Sequence, residues 1–145
     1  MNEPLSGPGS AGTDDFRERL THTREALLKL HKVLMGSERV GYEQTFGKIQ
    51  SPYHFLQLLT SDPWFAWLRP LSQIIAAMDE ALDAKKPLLT SAMVDDFRRQ
   101  ATALLVATEI GEGFSRHYYE ALQRDPDVVF AHAEVMKVLR LDAVK

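Results

Sequence analysis

The sequence contains no cysteine. This excludes a disulfide framework, a thiolate zinc site, a cysteine-ligated iron–sulfur cluster and a cysteine nucleophile. It also lacks any apolar run approaching the roughly 18–20 residues that a membrane span requires. Ala103-Leu104-Leu105-Val106-Ala107 is far shorter, and Thr108-Glu109 closes it. Positive charge is not in excess, since 17 Lys and Arg stand against 20 Asp and Glu for a net charge of −3. A duplex nucleic acid partner normally shows as a basic patch or stripe, so the bulk electrostatic case for one is missing. No stretch alternates apolar and polar residues long enough to make a strand, and no internal repeat is visible. The first dozen residues, Met1 to Gly12, have neither the basic start nor the apolar run of a secretory signal. With no cysteine and no such signal, the cytoplasm is the expected compartment.

What is present has the proportions of one soluble globular domain: 145 residues, 45% apolar and 26% charged. A chain of this length buries roughly 70% of the surface its unfolded form exposes, enough for a core without metal or disulfide. Residues 1–12, rich in Gly, Pro and Ser, are read as a disordered tail and residues 13–145 as the single domain. From Thr13 onward the punctuation is helical. Thr13 is placed to cap a helix carrying Asp14 and Asp15 in its first turn. Ser51-Pro52, Asp62-Pro63 and Asp125-Pro126 each set a capping side chain before a proline at the first helical position. Thr90-Ser91 is a further start, and Lys85-Lys86-Pro87 a helix end.

Periodicity agrees. At about 100° per residue, Trp64, Trp67, Leu68, Leu71, Ile74, Ile75, Met78 and Leu82 share an arc of about 120°. Residues 63–85 are therefore expected as one amphipathic helix, kinked or shorn of its first turns by Pro70. Phe16, Leu20, Leu27, Leu30 and Leu34 form an earlier stripe, after which Gly36 and Gly41 are expected to loosen the register before Tyr42, Phe46 and Ile49. Met93, Val94, Phe97, Ala101, Leu104 and Leu105 form a stripe that Gly111 and Gly113 interrupt before Phe114, Tyr118 and Ala121. Val128, Val135 and Leu139 define the last. The expected fold is all-α, an antiparallel bundle of four to five helices with a kink near Pro70.

Helical bundles of the di-metal type need inward-pointing Glu-x-x-His pairs. This chain has only the reversed spacing, His22 to Glu25 and His117 to Glu120. The first pair falls on the solvent side of its helix, and Glu120 points away from the stripe beside His117. His132 sits on the apolar face of the last helix, where a buried neutral imidazole with one hydrogen-bond partner is the common case and a ligand or proton carrier the rarer one. His31 and His54 read likewise. Ser115, in Gly111-Glu112-Gly113-Phe114-Ser115, lacks the strand that precedes a nucleophile elbow, and Gly111-x-Gly113 is too short for a phosphate cradle. No catalytic residue, metal site or cofactor is expected.

The most distinctive stretch is Asp62-Pro63-Trp64-Phe65-Ala66-Trp67-Leu68-Arg69-Pro70-Leu71, which holds both tryptophans of the chain. Trp64 and Trp67 read first as core anchors and second as stacking faces, with Arg69 nearby to pair with an acidic or phosphate group. Phe65 lies about 120° from the stripe centre, the position in this stretch best suited to an exposed aromatic, with core and surface standing level for it. Phe130 falls opposite the stripe of its own helix. Aromatics beside arginine are favoured at protein interfaces.

Ser51-Pro52 with Leu58-Leu59, the aromatic stretch itself, and Tyr118-Tyr119-Glu120-Ala121-Leu122-Gln123-Arg124-Asp125-Pro126-Asp127-Val128-Val129 together resemble a family of small bacterial all-helical proteins, over about residues 16–141. The resemblance implies a bacterial helical protein and brings no activity, substrate or catalytic residue with it. Two functional readings follow from the residues. The first is a non-enzymatic interaction module acting by self-association or by docking a protein partner through Phe65, Arg69 and Phe130. The second is a small-ligand binder or enzyme with an internal pocket lined by Trp64, Trp67, Tyr118 and His132.

Overall fold

The structure, a computed structural model, describes residues 8–144, with side chains from Asp15 to Arg140. Its elements are α1 (Pro8–Phe46), α2 (Pro52–Ser61), a 3-10 helix (Pro63–Leu68), α3 (Arg69–Asp83), α4 (Ser91–Leu104), α5 (Phe114–Arg124) and α6 (Pro126–Val144). The described residues contain no strand, and no helix among them is long and apolar enough to cross a membrane. The fold is all-helical. Six α-helices take the place of the four or five expected, because α2 and α5 are short pieces, each closed by the Asp-Pro cap that opens the next element.

Local chemistry sets most of the boundaries. The Ser51 hydroxyl accepts from the His54 amide at 3.0 Å, the Asp62 carboxylate from the Trp64 amide at 2.8 Å, the Thr90 hydroxyl from the Met93 amide at 3.2 Å, and the Asp125 carboxylate from the Asp127 amide at 2.9 Å. Each satisfies one of the amides that a helix start leaves without an intrahelical partner. The N-terminal end differs from expectation. Helix α1 begins at Pro8, so Thr13 is an interior residue and not a cap. Proline at the first helical position gives up an N–H that had no partner to lose. Of the stretch read as a tail, residues 1–7 lie outside the described residues and 8–12 belong to α1.

One further expectation is corrected. Gly36 and Gly41 do not break α1, which runs through both as one helix of 39 residues. A side chain at Gly41 would meet the Trp64 ring at 3.2 Å, so this glycine admits the indole against the helix backbone. The helix stops instead at Gly47, whose φ of 100° is a left-handed cap that glycine adopts without strain. Residues 63–85 divide next to Pro70, as expected of that proline: the first turns are split off as a separate 3-10 helix, and α3 follows from Arg69. Pro70 has no N–H for the Ala66 carbonyl, and the Arg69 amide takes that carbonyl instead. A bond to the third residue back is a 3-10 bond, so the chain winds tightly from Pro63 to Leu68 and becomes α-helical only at Arg69.

Helix α1 is the element against which the rest of the core assembles, packing on α6, α3, α4 and the 3-10 helix. Its stripe of Leu20, Leu27, Leu30 and Leu34 is fully buried. Leu71, Ile74, Ile75 and Met78 of α3, Val94 and Ala101 of α4, Tyr118 and Ala121 of α5, and Val128, Val135 and Leu139 of α6 complete the core. A polar cluster lies at its edge. Arg124, at the end of α5, donates to the Ser37 hydroxyl at 3.1 Å and pairs with the buried Glu38 carboxylate, while the Trp64 indole donates to the Glu38 carbonyl at 3.2 Å. A buried carboxylate without such a partner would carry a desolvation cost of several kcal/mol, on the order quoted for buried ions generally. This cluster joins α1 to the 3-10 helix and to the end of α5.

Candidate functional site

The 3-10 winding decides where the aromatic stretch points. At three residues per turn, positions i and i+3 eclipse, so Phe65 aligns with the buried Leu68. Phe65 is only 2% exposed and belongs to the core, where the helical spacing favoured it as the exposed aromatic of the stretch but left core and surface level. That spacing assumed 100° per residue, and the 120° of a 3-10 turn rotates Phe65 inward. Its ring packs 5.6 Å from Tyr42 and 5.7 Å from Phe55, centroid to centroid. Trp64 is half-buried and meets Tyr42 and Phe46 edge to face at 6.0 and 5.8 Å. The outer edge of this cluster is Phe46, which is 64% exposed.

Trp67 is buried and faces α5, stacked on His117 at 5.3 Å with an angle of 17° between the rings, and close to Phe114 at 5.2 Å. Its indole N–H has no hydrogen-bond partner among the described residues. Phe114 stacks in turn on Tyr118 at 5.4 Å. The Tyr118 hydroxyl lies 2.6 Å from Nδ1 of His132. Burial pushes the Tyr118 phenol well above its ordinary value and the His132 imidazole below its own. Both groups are therefore neutral near pH 7, the phenol the better donor and the imidazole nitrogen the better acceptor. The hydroxyl donates to Nδ1, and the imidazole proton sits on Nε2. Trp67, Tyr118 and His132 thus engage one another through Phe114 and His117. Trp64 is placed apart from this series of contacts, against Tyr42, Phe46 and the Glu38 carbonyl of α1.

Arg69 stands at the start of α3, exposed, and pairs with no carboxylate among the described residues. It lines a cleft of about 310 Å³ together with His31, Met35, Leu59, Thr60, Phe65, Leu68 and Ser72. Nε2 of His31 lies 2.6 Å from the Ser72 hydroxyl, and burial lowers the His31 pKa. A second, wider cleft of about 650 Å³ runs along α1 past Lys32, Ser37 and Gln44 to Arg124, Asp125 and Asp127. Phe130 is 69% exposed on α6 and makes no ring contact among the described residues. His22 and Glu25 face solvent. Nδ1 of His117 lies 4.0 Å from the Glu120 carboxylate, with both side chains about half exposed. Among the described residues no three His, Asp or Glu side chains gather at metal-binding spacing.

Sequence reasoning found the start of α2 at Ser51-Pro52 but missed its outward apolar face. Of the ten residues described in Pro52–Ser61 none is buried, although the helix carries Tyr53, Phe55, Leu56, Leu58 and Leu59. Phe55, Leu58 and Leu59 rest on the core from one side, while Tyr53 and Leu56 are 69% and 56% exposed. The signal was available. Tyr53 and Leu56, three residues apart, share one side of a helix whose other side already holds Phe55, Leu58 and Leu59, so a single core face cannot cover them all. Ser72 had no such signal, because its partner His31 lies 41 positions away.

Compared with family models, curated proteins and solved structures, the chain matches none. The likeness drawn from the aromatic stretch and its companions has no counterpart there, and function has to be argued from the geometry above.

Proposed function

We propose that the protein is a non-enzymatic helical interaction module that works by self-association or by docking a protein partner. The observation that carries this reading is α2, an apolar helix with no buried residue and with Tyr53 and Leu56 turned outward. Such a helix packed on one side only leaves an apolar face that water solvates poorly, and faces of that kind mark interaction sites. Phe65, once a candidate contact, serves by holding Phe55 and hence α2 in place from beneath. Tyr53 and Leu56 take over its role. Phe130 with the neighbouring Val129, also exposed on α6, is a second apolar point on the surface. The antiparallel bundle expected from the sequence is kept as the framework, with the packing of α1 against α3, α4 and α6 in its support. The cytoplasmic setting is kept with it.

Light scattering after size exclusion at two concentrations tests the reading, together with binding of a hydrophobic dye. The wild-type chain is expected to exceed its monomer mass of 16.4 kDa as concentration rises, or to bind the dye as a monomer. Leu56→Glu is expected to remove either signal without lowering the melting temperature, since a residue 56% exposed contributes little to the core. A strict monomer that binds no dye, or a Leu56→Glu protein that behaves like wild type, would refute it.

A further inference from the structure

We propose that the cleft beneath Arg69 binds a small monocarboxylate with an apolar tail, the carboxylate on the guanidinium and the chain between Met35, Leu59, Phe65 and Leu68. The volume, about 310 Å³, is that of roughly ten waters in the liquid, the room taken by a ligand of about ten non-hydrogen atoms. It lies at the lower end of the range for small-molecule sites, which are mostly apolar with a few placed polar groups. The hydroxyls of the wall and Nε2 of His31 already have partners. The Thr60 hydroxyl donates to carbonyls of its own helix, and the Ser72 hydroxyl and His31 ring are bonded to each other at 2.6 Å.

Charge then selects the ligand. Among the described residues, Arg69 is the only permanently charged one lining the cleft, no carboxylate lines it, and none forms an ion pair with this guanidinium. A guanidinium offers a planar fork of donors that a carboxylate accepts through both oxygens. A single unbalanced cation matches a monoanion in charge. It repels an amine of the same length and gains only a neutral hydrogen bond from an alcohol. The apolar walls are rigid on the α1 and 3-10 sides, where Phe65 is locked between Tyr42 and Phe55. The α2 wall, which supplies Leu59, is the less deeply buried one.

Titration of the full chain with octanoate, followed by calorimetry and by the imidazole proton resonances, tests the assignment. Octanol, octylamine and octyl phosphate serve as controls, all below their aggregation limits. Octanoate is expected to bind one per chain, to shift the His31 resonance, and to bind at least about tenfold more tightly than octanol or octylamine. Arg69→Gln is expected to weaken octanoate about tenfold or more and to leave octanol unchanged; Arg69 is exposed, so this variant keeps the fold, which its circular dichroism checks. Absence of octanoate binding overturns the proposal, as does equal binding of octanol, an unshifted His31, or an Arg69→Gln protein with wild-type affinity. Octyl phosphate binding tenfold more tightly than octanoate overturns the choice of carboxylate.

Discussion

Replacing Phe65 by alanine separates a core position from a surface one. The side chain is 2% exposed and is held between Tyr42 and Phe55. An aromatic side chain buries roughly 150–250 Å², which at about 25 cal/mol per Å² is about 4–6 kcal/mol for the whole group. Alanine keeps the first carbon, and the unfolded chain already hides some of this area, so the transfer loss is smaller. The cavity left behind adds to it, because Leu68 and Tyr42 are fixed by other contacts and cannot close the gap. The net expectation is a loss of about 3–5 kcal/mol. In a chain of this size one kcal/mol moves the melting temperature by roughly 2–4 °C, so the expected drop is about 6–20 °C. Phe130→Ala, at a position 69% exposed, is the control, with an expected change within about 0.5 kcal/mol. Urea unfolding of both variants, monitored by tryptophan fluorescence and by circular dichroism, gives the two numbers. If Phe65→Ala costs no more than Phe130→Ala, the inward rotation of the 3-10 turn is wrong and Phe65 is a surface residue.

The hydrogen bond from Tyr118 to His132 gives a second test: Tyr118→Phe is expected to cost about 1–2 kcal/mol in urea unfolding, because it leaves Nδ1 of a half-buried imidazole without its donor. A loss below about 0.3 kcal/mol would mean that water already serves that nitrogen. The histidines also set a pH dependence. His31 and His132 both have folded-state pKa values lowered from 6.5 by burial, so protonation favours the unfolded chain. Their contribution is fully present above 6.5 and is lost as pH falls through the lowered folded-state values. The urea midpoint is therefore expected to fall between about pH 7 and about pH 5, and replacing both residues by glutamine should flatten that part of the profile. A midpoint that rises on acidification across this interval would contradict the burial of both rings.

The all-helical class and four of the helix starts were legible from the sequence because they depend on neighbours in the chain. A capping side chain at Ser51, Asp62, Thr90 or Asp125 reaches an amide two or three residues away, and no distant contact is needed to place it. The stripe of Leu71, Ile74, Ile75 and Met78 likewise reports its own helix. Where the sequence misled, the cause was a choice of winding or of continuity that other segments decide. Gly36 and Gly41 stay inside α1, and the side chain that Gly41 lacks leaves the space into which the Trp64 ring packs. Phe65 turns inward because Pro70 withholds one amide and a 3-10 turn follows.

Composition and spacing determined that this chain folds as helices, carries no cysteine chemistry and concentrates its aromatics around residue 65. Only the tertiary structure decided which of those aromatics face water. It also paired Tyr118 with His132 and His31 with Ser72, and it set Arg69 at an apolar cleft with no carboxylate partner among the described residues. The physical reason is range. Capping and periodicity act within a turn or two, whereas exposure and pairing depend on which helices meet, and those meetings join residues as many as 87 positions apart.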